Sequence, residues 1–214
     1  MLSGHLFVRL FSYVVRYDSG FAPNPFYGFC TLATCKPDIR NAAEIGHWVV
    51  GTGSADRKNQ RGGHLVYAMR VTETLTFSQY WSDPRFQSKK PYLRGSRKQT
   101  CGDNIYRPKR GGGWEQLHSF HTESDGTPVL RHINKDTGVD RILVSNDFVY
   151  FGGTGPTIPR RLRNHSGVDL CKAGQGRKIF EDPRMIRDFE SWIASLGKNG
   201  YAGEPLEWIM SPWR

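Results

Sequence analysis

The sequence predicts an α+β fold in which short strands outnumber helices. The 214 residues include 24 glycines and 12 prolines, a content that favours many turns over a helical bundle. Hydrophobic residues make up 37% and aromatic residues 13%, so the chain can bury a core and global disorder is excluded. Apolar runs are short, and none approaches the roughly 18 residues of a transmembrane helix. We therefore expect no membrane partner.

The first half of the chain predicts strands separated by turns. Residues 6–17 form a β-rich apolar run that ends at a turn with two prolines. This start faintly resembles a signal peptide, but Arg9 splits the apolar run and no basic segment precedes it, so we expect a cytoplasmic protein. Pro37 predicts the first turn of a short helix. Residues 47–52 and 65–74 predict a hairpin with a long polar tip.

The second half predicts fewer elements within a single domain over residues 1–214. Thr76 is expected to cap a short helix, FSQYW, and residues 140–151 predict a strand pair or a bent strand. Between them, residues 82–140 predict a basic insertion or arm. Residues 182–197 predict a C-terminal helix that packs on the β structure. Its apolar face consists of Ile186, Phe189, Trp192, Ile193 and Leu196.

Positive charge is concentrated in two segments. Thirty Lys and Arg against 20 Asp and Glu give a net charge of +10, and residues 85–110 and 160–178 carry the excess. Basic side chains neutralise phosphates, and aromatic side chains between them stack on bases. The pattern favours a nucleic-acid partner, DNA rather than RNA, over a merely solvated basic surface. The predicted phosphate-binding residues are Lys89, Lys90, Arg94, Arg97, Lys98, Arg107, Lys109, Arg110, Arg160, Arg161 and Arg163.

Four cysteines, at positions 30, 35, 101 and 171, are expected to be free thiols. No metal site is predicted, because Cys30 and Cys35 lack the spacing of a zinc knuckle. No cofactor is predicted either, since the turn GGTGP lacks the Gly-Lys-Ser/Thr of a phosphate-binding loop. Cys30 and Cys35 flank a compact turn beside Lys36. Either is a candidate nucleophile, and packing in the core is the alternative.

Several segments resemble known families. AEIGHWVV (residues 43–50), LVYAMRVTE (65–73) and YWSDPRF (80–86) resemble the PUA-like superfamily, in particular its EVE and YTH branches. YVVRYDSGFAPNPFYGFCTLATCKPDIR with the later FVYFGGTGPTIP resembles more closely the bacterial nucleotide modification associated domain family, over roughly residues 12–192. His47 stands where the superfamily usually has Asp, so no role is carried over to that position.

The resemblance implies a PUA-like (EVE/YTH-like) fold: a small, bent β-barrel with short flanking helices, whose mouth holds a flipped or modified base. A base pocket needs flat walls on both faces of the base and fixed polar groups at its edge. The candidate pocket residues are Tyr13, Asp18, Asn24, Phe26, Phe29, Cys30, Thr31, Trp48, Gly51, Thr52, Gly53, Ser54, Asp103, Asn104, Tyr106 and Tyr150.

Three functions remain open from the sequence. The first is a non-catalytic reader of a modified, flipped base, in DNA rather than RNA, that belongs to a DNA modification or restriction/defence system and has modification or restriction proteins as partners. The second is an enzyme of base or nucleotide modification, with Cys30 or Cys35 as nucleophile and Asp18, His118 or His121 as acid or base. The third is a nonspecific basic accessory protein that binds DNA.

Overall fold

A computed structural model describes residues 7–211, so residue 6 of the predicted first strand lies outside the described part. The strands are β1 Leu10–Val15, β2 Cys30–Leu32, β3 Trp48–Gly53, β4 Leu65–Arg70, β5 Glu73–Leu75, β6 Tyr106–Pro108, β7 Trp114–Gln116, β8 Ile142–Ser145, β9 Asp147–Tyr150, β10 Arg177–Phe180 and β11 Gly200–Tyr201. The α-helices are α1 Pro37–Ala42, α2 Phe77–Ser82, α3 Arg97–Thr100, α4 Leu130–Thr137, α5 Arg160–Arg163, α6 Pro183–Ser195 and α7 Leu206–Met210. Short 3-10 helices lie at Pro84–Lys89 and Gly152–Thr154.

The chain divides into two compact units. Of the described residues, 7–18, 43–71 and 147–211 form the first unit. Its six-stranded sheet has the order β10-β1-β3-β4-β9-β11. β3 and β4 pair antiparallel, as the predicted hairpin requires, and β1 lies parallel to β3. The β3–β4 hairpin prediction is therefore confirmed.

The predicted C-terminal helix is present as α6. The Asp182 carboxylate accepts a hydrogen bond from the Arg184 amide at 2.8 Å and so caps the first turn. Phe189 and Trp192 are buried on the apolar face of this helix. The rings of Phe189 and Trp48 lie 5.4 Å apart, edge to face. The helix therefore covers the start of β3.

Residues 19–42 and 72–146 form the second unit. In it β2 and β5 flank β8, and β6 pairs with β7 as a separate hairpin. α2 begins with a capping box in which the Thr76 hydroxyl accepts from the Gln79 amide at 3.1 Å and the Gln79 side chain accepts from the Thr76 amide at 2.8 Å. The predicted cap is thus confirmed. The buried core of this unit consists of Phe21, Ala33, Phe77, Tyr80, Phe86, Ile105, Tyr106, Ile142 and Val144.

The predicted barrel is not observed within residues 7–211, whose strands form several sheets and close into no barrel. Residues 140–151 show one reason. Only Asn146 separates β8 from β9, which is too short for a hairpin turn. The two strands therefore enter different sheets, β8 beside β2 and β5, and β9 beside β4 and β11. The fold is mixed α/β with several sheets, and the relation to the PUA-like superfamily stays a prediction.

Residues 82–140, predicted as a basic insertion or arm, contribute to the core of the second unit. Phe86 and Ile105 are fully buried there. The chain divides into two compact units. That residues 1–214 form a single domain stays a prediction. Among the helices of the described residues, none combines the length and the apolar character that crossing a membrane requires.

Candidate active site

Cys35 lies in the turn between β2 and α1 of the second unit. Its backbone has φ 59°, and the next residue, Lys36, has φ 41°. Residues other than glycine rarely adopt this left-handed conformation, which persists where surrounding contacts hold it. One such contact is visible: the Cys35 amide donates to Oδ1 of Asp136 at 2.9 Å. The half-buried thiol is thereby presented at a sharp turn between a strand and a helix.

His121 connects this thiol to a carboxylate. Its Nε2 lies 3.4 Å from the Cys35 sulfur, and its Nδ1 lies 2.7 Å from Oδ2 of Asp136. A nucleophile, a base within hydrogen-bond reach and a third group that orients the base form the general arrangement for nucleophilic catalysis. We call these three residues the Cys–His–Asp cluster.

Asp136 is held by its own neighbours. The Tyr106 hydroxyl donates to Oδ2 of Asp136 at 2.7 Å, and the Gln116 side chain donates to the carbonyl of His121 at 3.1 Å. The fully buried Arg40 donates to the Cys35 carbonyl at 3.0 Å and to the backbone carbonyl of Asp136. Hydrogen bonds from these side chains therefore hold the three chain segments that carry the cluster.

The electrostatics fit an ion pair between histidine and carboxylate. Burial lowers the pKa of His121, but its hydrogen bonds to Asp136 and Cys35 outweigh burial and raise that pKa to about 9. Burial raises the pKa of Asp136, but bonds from His121, Tyr106 and the Cys35 amide bring it below its usual value. At neutral pH His121 is therefore protonated and Asp136 ionised.

Two aromatic rings pack directly on His121. The Phe21 ring lies 4.9 Å from the His121 ring, and the Phe120 ring lies 5.5 Å from Phe21. Phe120 is 53% exposed, so this group of rings reaches the surface of the second unit. On α4, His132 lies 4.4 Å from His121, ring to ring. Phe21 is buried, so the exposed ring of Phe120 is the one that offers apolar surface to a planar group near the cluster.

The hydroxyl of Thr34, the residue before Cys35, is buried and has no hydrogen-bond partner among the described residues. A buried polar group without a partner is destabilising, and most such groups in proteins are satisfied. The Thr34 hydroxyl therefore lowers the folding stability of the protein at the turn that carries the Cys35 thiol.

The other predicted catalytic residues are placed differently. Cys30 is completely buried in β2 and burial raises its thiol pKa, so its prediction as nucleophile is wrong. His118 is exposed and lies beside Gly126. Asp18 belongs to the first unit, where burial raises the pKa of its carboxyl to about 6 although bonds from the Tyr150 hydroxyl and the Leu206 amide oppose this. Of these candidates, the structure brings together Cys35 and His121.

The predicted pocket residues of the first unit are mostly buried. Tyr13 and Tyr150 lie in the core, and the Tyr13 hydroxyl bonds that of Tyr67 at 3.0 Å. Trp48 donates from its indole nitrogen to the Glu190 carboxylate at 2.9 Å. Beside Trp48 lies a surface pocket of about 360 Å³, which Lys198 also lines. Stacking on a base stays a prediction for these rings.

The predicted backbone donors at residues 51–54 are part of the same unit. Gly51 and Thr52 pair with β4, and the Gly53 amide donates to the His64 carbonyl at 2.9 Å. The Ser54 hydroxyl donates to Asp56 at 2.9 Å. These groups thus have partners within the hairpin.

The predicted edge readers of the second unit form hydrogen bonds inside it. Asn24 donates to the Cys101 carbonyl at 2.7 Å, and Asn104 donates to the Tyr80 carbonyl at 2.9 Å. Asp103 accepts from the hydroxyls of Thr31 at 2.6 Å and Tyr80 at 2.7 Å. Phe26 is buried and Phe29 half-buried. Tyr106, which was also predicted for the pocket, donates from its hydroxyl to Asp136 at 2.7 Å.

One predicted phosphate-binding residue is corrected. Lys89 is completely buried and donates to the Phe29 carbonyl at 3.0 Å, so its ammonium cannot reach a phosphate. Three others are half-buried: Lys90, Arg97 and Arg163. The remaining side chains are exposed and their phosphate contacts stay predictions: Arg94, Lys98, Arg107, Lys109, Arg110, Arg160 and Arg161.

A family model described as nucleotide modification associated domain 2 matches residues 7–212. The chain belongs to this family. The family indicated by the sequence resemblance is thereby confirmed, and the matched range of this nucleotide modification associated domain 2 protein contains the whole Cys–His–Asp cluster. No curated protein and no solved structure among those compared matches it significantly.

No group of three or more His, Cys, Asp and Glu side chains within residues 7–211 of this family member has the arrangement of a metal site. The Cys–His–Asp cluster contains three such residues, but Asp136 and His121 bond each other rather than converging on one point. The donor set therefore fits nucleophilic catalysis better than metal binding.

Proposed function

We propose that this protein is an enzyme of nucleotide modification whose nucleophile is Cys35. The observation that carries the proposal is the alignment of sulfur, imidazole and carboxylate, with Nε2 at 3.4 Å from Sγ and Nδ1 at 2.7 Å from Asp136. The substrate is a nucleotide or a base in nucleic acid, in keeping with the family name.

The chemistry supported by the cluster is substitution at an electrophilic carbon through a covalent intermediate. The Cys35 thiolate attacks the carbon and forms a C–S bond, while the leaving group departs with its electron pair and takes the proton from Nε2 of His121. The neutral imidazole then removes a proton from water, and the resulting hydroxide attacks the same carbon. The C–S bond breaks, which restores the thiolate and the protonated histidine.

Asp136 has a separate role in this scheme. Through Oδ2 it fixes the tautomer and orientation of His121 and stabilises the imidazolium, and through Oδ1 it holds the Cys35 amide. Tyr106 is a positioning residue, because its hydroxyl bonds the carboxylate and not the sulfur.

Base reading without catalysis is supported less well. Most predicted walls lie in the cores of the units, and the side chains of Asn24, Asp103 and Asn104 already bond within the second unit. The exposed Phe120, which packs on the buried Phe21 beside His121, supplies apolar surface that suits a planar base. Association with modification or restriction proteins and a cytoplasmic location stay predictions.

Selective alkylation tests the proposal. Cys171 is the matched control, because it is half-buried like Cys35 and burial raises its pKa to about 11. We expect iodoacetamide at pH 7 to modify Cys35 at least tenfold faster than Cys171, as read by peptide mass spectrometry. His121→Gln should remove most of that difference. Equal rates at both cysteines, or no effect of His121→Gln, would contradict a nucleophilic role.

Covalent capture tests the substrate class. The protein is incubated with deoxynucleotides and with oligonucleotides carrying modified bases, and its intact mass is measured after an acid quench. We expect a mass increase that maps to Cys35 and is lost in Cys35→Ser but retained in Cys171→Ser. An increase that Cys35→Ser retains would assign the chemistry to another residue.

A further inference from the structure

The hairpin of β6 and β7 ends in a tip of unusual composition. Residues 109–113 read Lys-Arg-Gly-Gly-Gly, and the three glycines have φ values of 92°, 101° and 78°. A Cβ atom at any of them would meet nothing within 4 Å. The tip is closed by the Lys109 amide bonding the Gly113 carbonyl at 3.1 Å. Three left-handed residues in a row explain the glycines, and the open space around them shows that packing does not.

The tip and its strands are basic. Arg107, Lys109 and Arg110 are all exposed. The one acid that pairs with them in the described structure is Glu115, whose carboxylate lies 3.6 Å from Arg107, and both of those side chains are exposed. A surface pair of this kind contributes little. The hairpin therefore presents net positive charge and a glycine backbone, with no large apolar side chain between residues 109 and 113. Of the glycine amides, that of Gly112 donates to the Lys109 carbonyl at 3.2 Å within the tip.

The root of the hairpin touches the Cys–His–Asp cluster. Tyr106 opens β6 and bonds Asp136, and Gln116 closes β7 and bonds the His121 carbonyl. Trp114 packs on Phe77 with ring centroids 5.5 Å apart. The root is thus fixed to the core of the second unit while the tip projects from it.

We propose that this hairpin is a finger that binds the sugar–phosphate backbone of a nucleic-acid strand. Lys109 and Arg110 contact phosphates, and the glycines let the tip backbone approach them closely. An acidic protein surface fits less well, because protein interfaces rely on apolar anchors and the tip has none. Because the finger is rooted at His121 and Asp136, the strand it holds is the substrate of Cys35. The last step rests on the proposed function, and it specifies a nucleotide within a strand rather than a free nucleotide.

Fluorescence anisotropy with a 20-nucleotide strand and the matching duplex tests the finger across a salt series. The test variant is Lys109→Gln with Arg110→Gln, and the control is Arg184→Gln with Arg187→Gln, two exposed residues on α6. We expect the finger variant to bind at least one form of DNA about tenfold more weakly and to lower the salt slope by one to two. The control should change affinity less than twofold. Equal losses in both variants, or none in the finger variant, would overturn the proposal.

Two further measurements distinguish DNA binding by the finger from the proposed catalytic role of Cys35. Iodoacetamide should modify Cys35 at the same rate in the finger variant as in the parent, which shows that its fold is intact. A free deoxynucleotide at millimolar concentration should not displace the DNA, and full displacement would overturn the preference for a strand. If Cys35 proves unreactive while the finger variant still loses DNA binding, the proposed function fails and the finger stands.

Discussion

The ammonium of Lys89 donates a 2.6 Å hydrogen bond to the side-chain oxygen of Asn24 inside the second unit. It also donates to the backbone carbonyls of Asn24 and Phe29, each at 3.0 Å. Burial lowers the pKa of Lys89 to about 8, although the nearby charge of Asp103 opposes that change. The sequence predicted that Lys89 binds phosphate. In the structure its hydrogen bonds instead connect the segments around residues 24, 29 and 89 of the second unit.

Removal of this ammonium should destabilise the protein strongly. In Lys89→Met the side chain keeps about its volume, but three oxygen atoms inside the core each lose one hydrogen bond. The Asn24 backbone carbonyl keeps the hydrogen bond from the Thr31 amide at 2.9 Å, whereas the Phe29 carbonyl loses the donor that Lys89 supplies. We expect a loss of about 3 kcal/mol in the free energy of unfolding, measured with urea. The control Lys109→Met removes an exposed lysine and should change stability by less than about 0.5 kcal/mol. Similar values for the two variants would show that the buried bonds contribute little.

The stability of the protein should depend on His121 between neutral and alkaline pH. Its folded pKa of about 9 lies above the ordinary 6.5, so its contribution is fully present below about pH 6.5 and is lost as pH rises through 9. We expect the difference in unfolding free energy between the parent and His121→Gln to fall over this range, by up to about 3 kcal/mol. Lys89 also titrates here, but it is common to both proteins and cancels. A difference that stays constant with pH would contradict the His121–Asp136 ion pair.

Asp18 should give the first unit a pH dependence on the acid side. Burial raises its pKa from 3.8 to about 6, so the folded protein binds a proton that the unfolded chain has released. The contribution of this group is therefore present below about pH 4 and is lost as pH rises to about 6. The parent should lose up to about 3 kcal/mol relative to Asp18→Asn over that interval, as measured by chemical unfolding. An increase of the parent relative to the variant would mean that the bonds from Tyr150 and Leu206 outweigh burial.

Substitution of Thr34 by valine should not destabilise the protein. Its buried hydroxyl has no partner among residues 7–211, so Thr34→Val removes a desolvated polar group and keeps the shape. We expect the thermal midpoint to stay constant or to rise by a few degrees. Thr31→Val is the control, because the Thr31 hydroxyl donates to Asp103 at 2.6 Å and its loss should destabilise. If Thr34→Val destabilises as much as Thr31→Val, the hydroxyl has a partner in solution.

The sequence predicted the elements that local patterns specify. α6 follows from its apolar face and from Asp182 at its start, and α2 follows from the cap at Thr76. The β3–β4 hairpin follows from two apolar runs. The sheet membership of β8 and β9 was not predictable in this way, because it depends on pairing with distant strands.

The sequence predicted two of the three residues of the Cys–His–Asp cluster. Cys35 and His121 were named from residue type and position, but Cys30 was named equally, since burial cannot be read from a three-residue strand. Asp136 was missed because it lies in a polar segment that did not predict a helix. One signal was present: His132 and Asp136 are four residues apart and share a face of α4.

The order of the chain has a consequence for biosynthesis. Asp136 follows Cys35 by 101 residues. At about 5 to 20 residues per second, a ribosome takes roughly 5 to 20 s to cover that distance. During this interval the nascent chain carries the thiol without the carboxylate that orients its histidine and holds its turn. During synthesis Cys35 is therefore present in the nascent chain before the cluster exists. The complete cluster assembles only after residue 136 has left the ribosome.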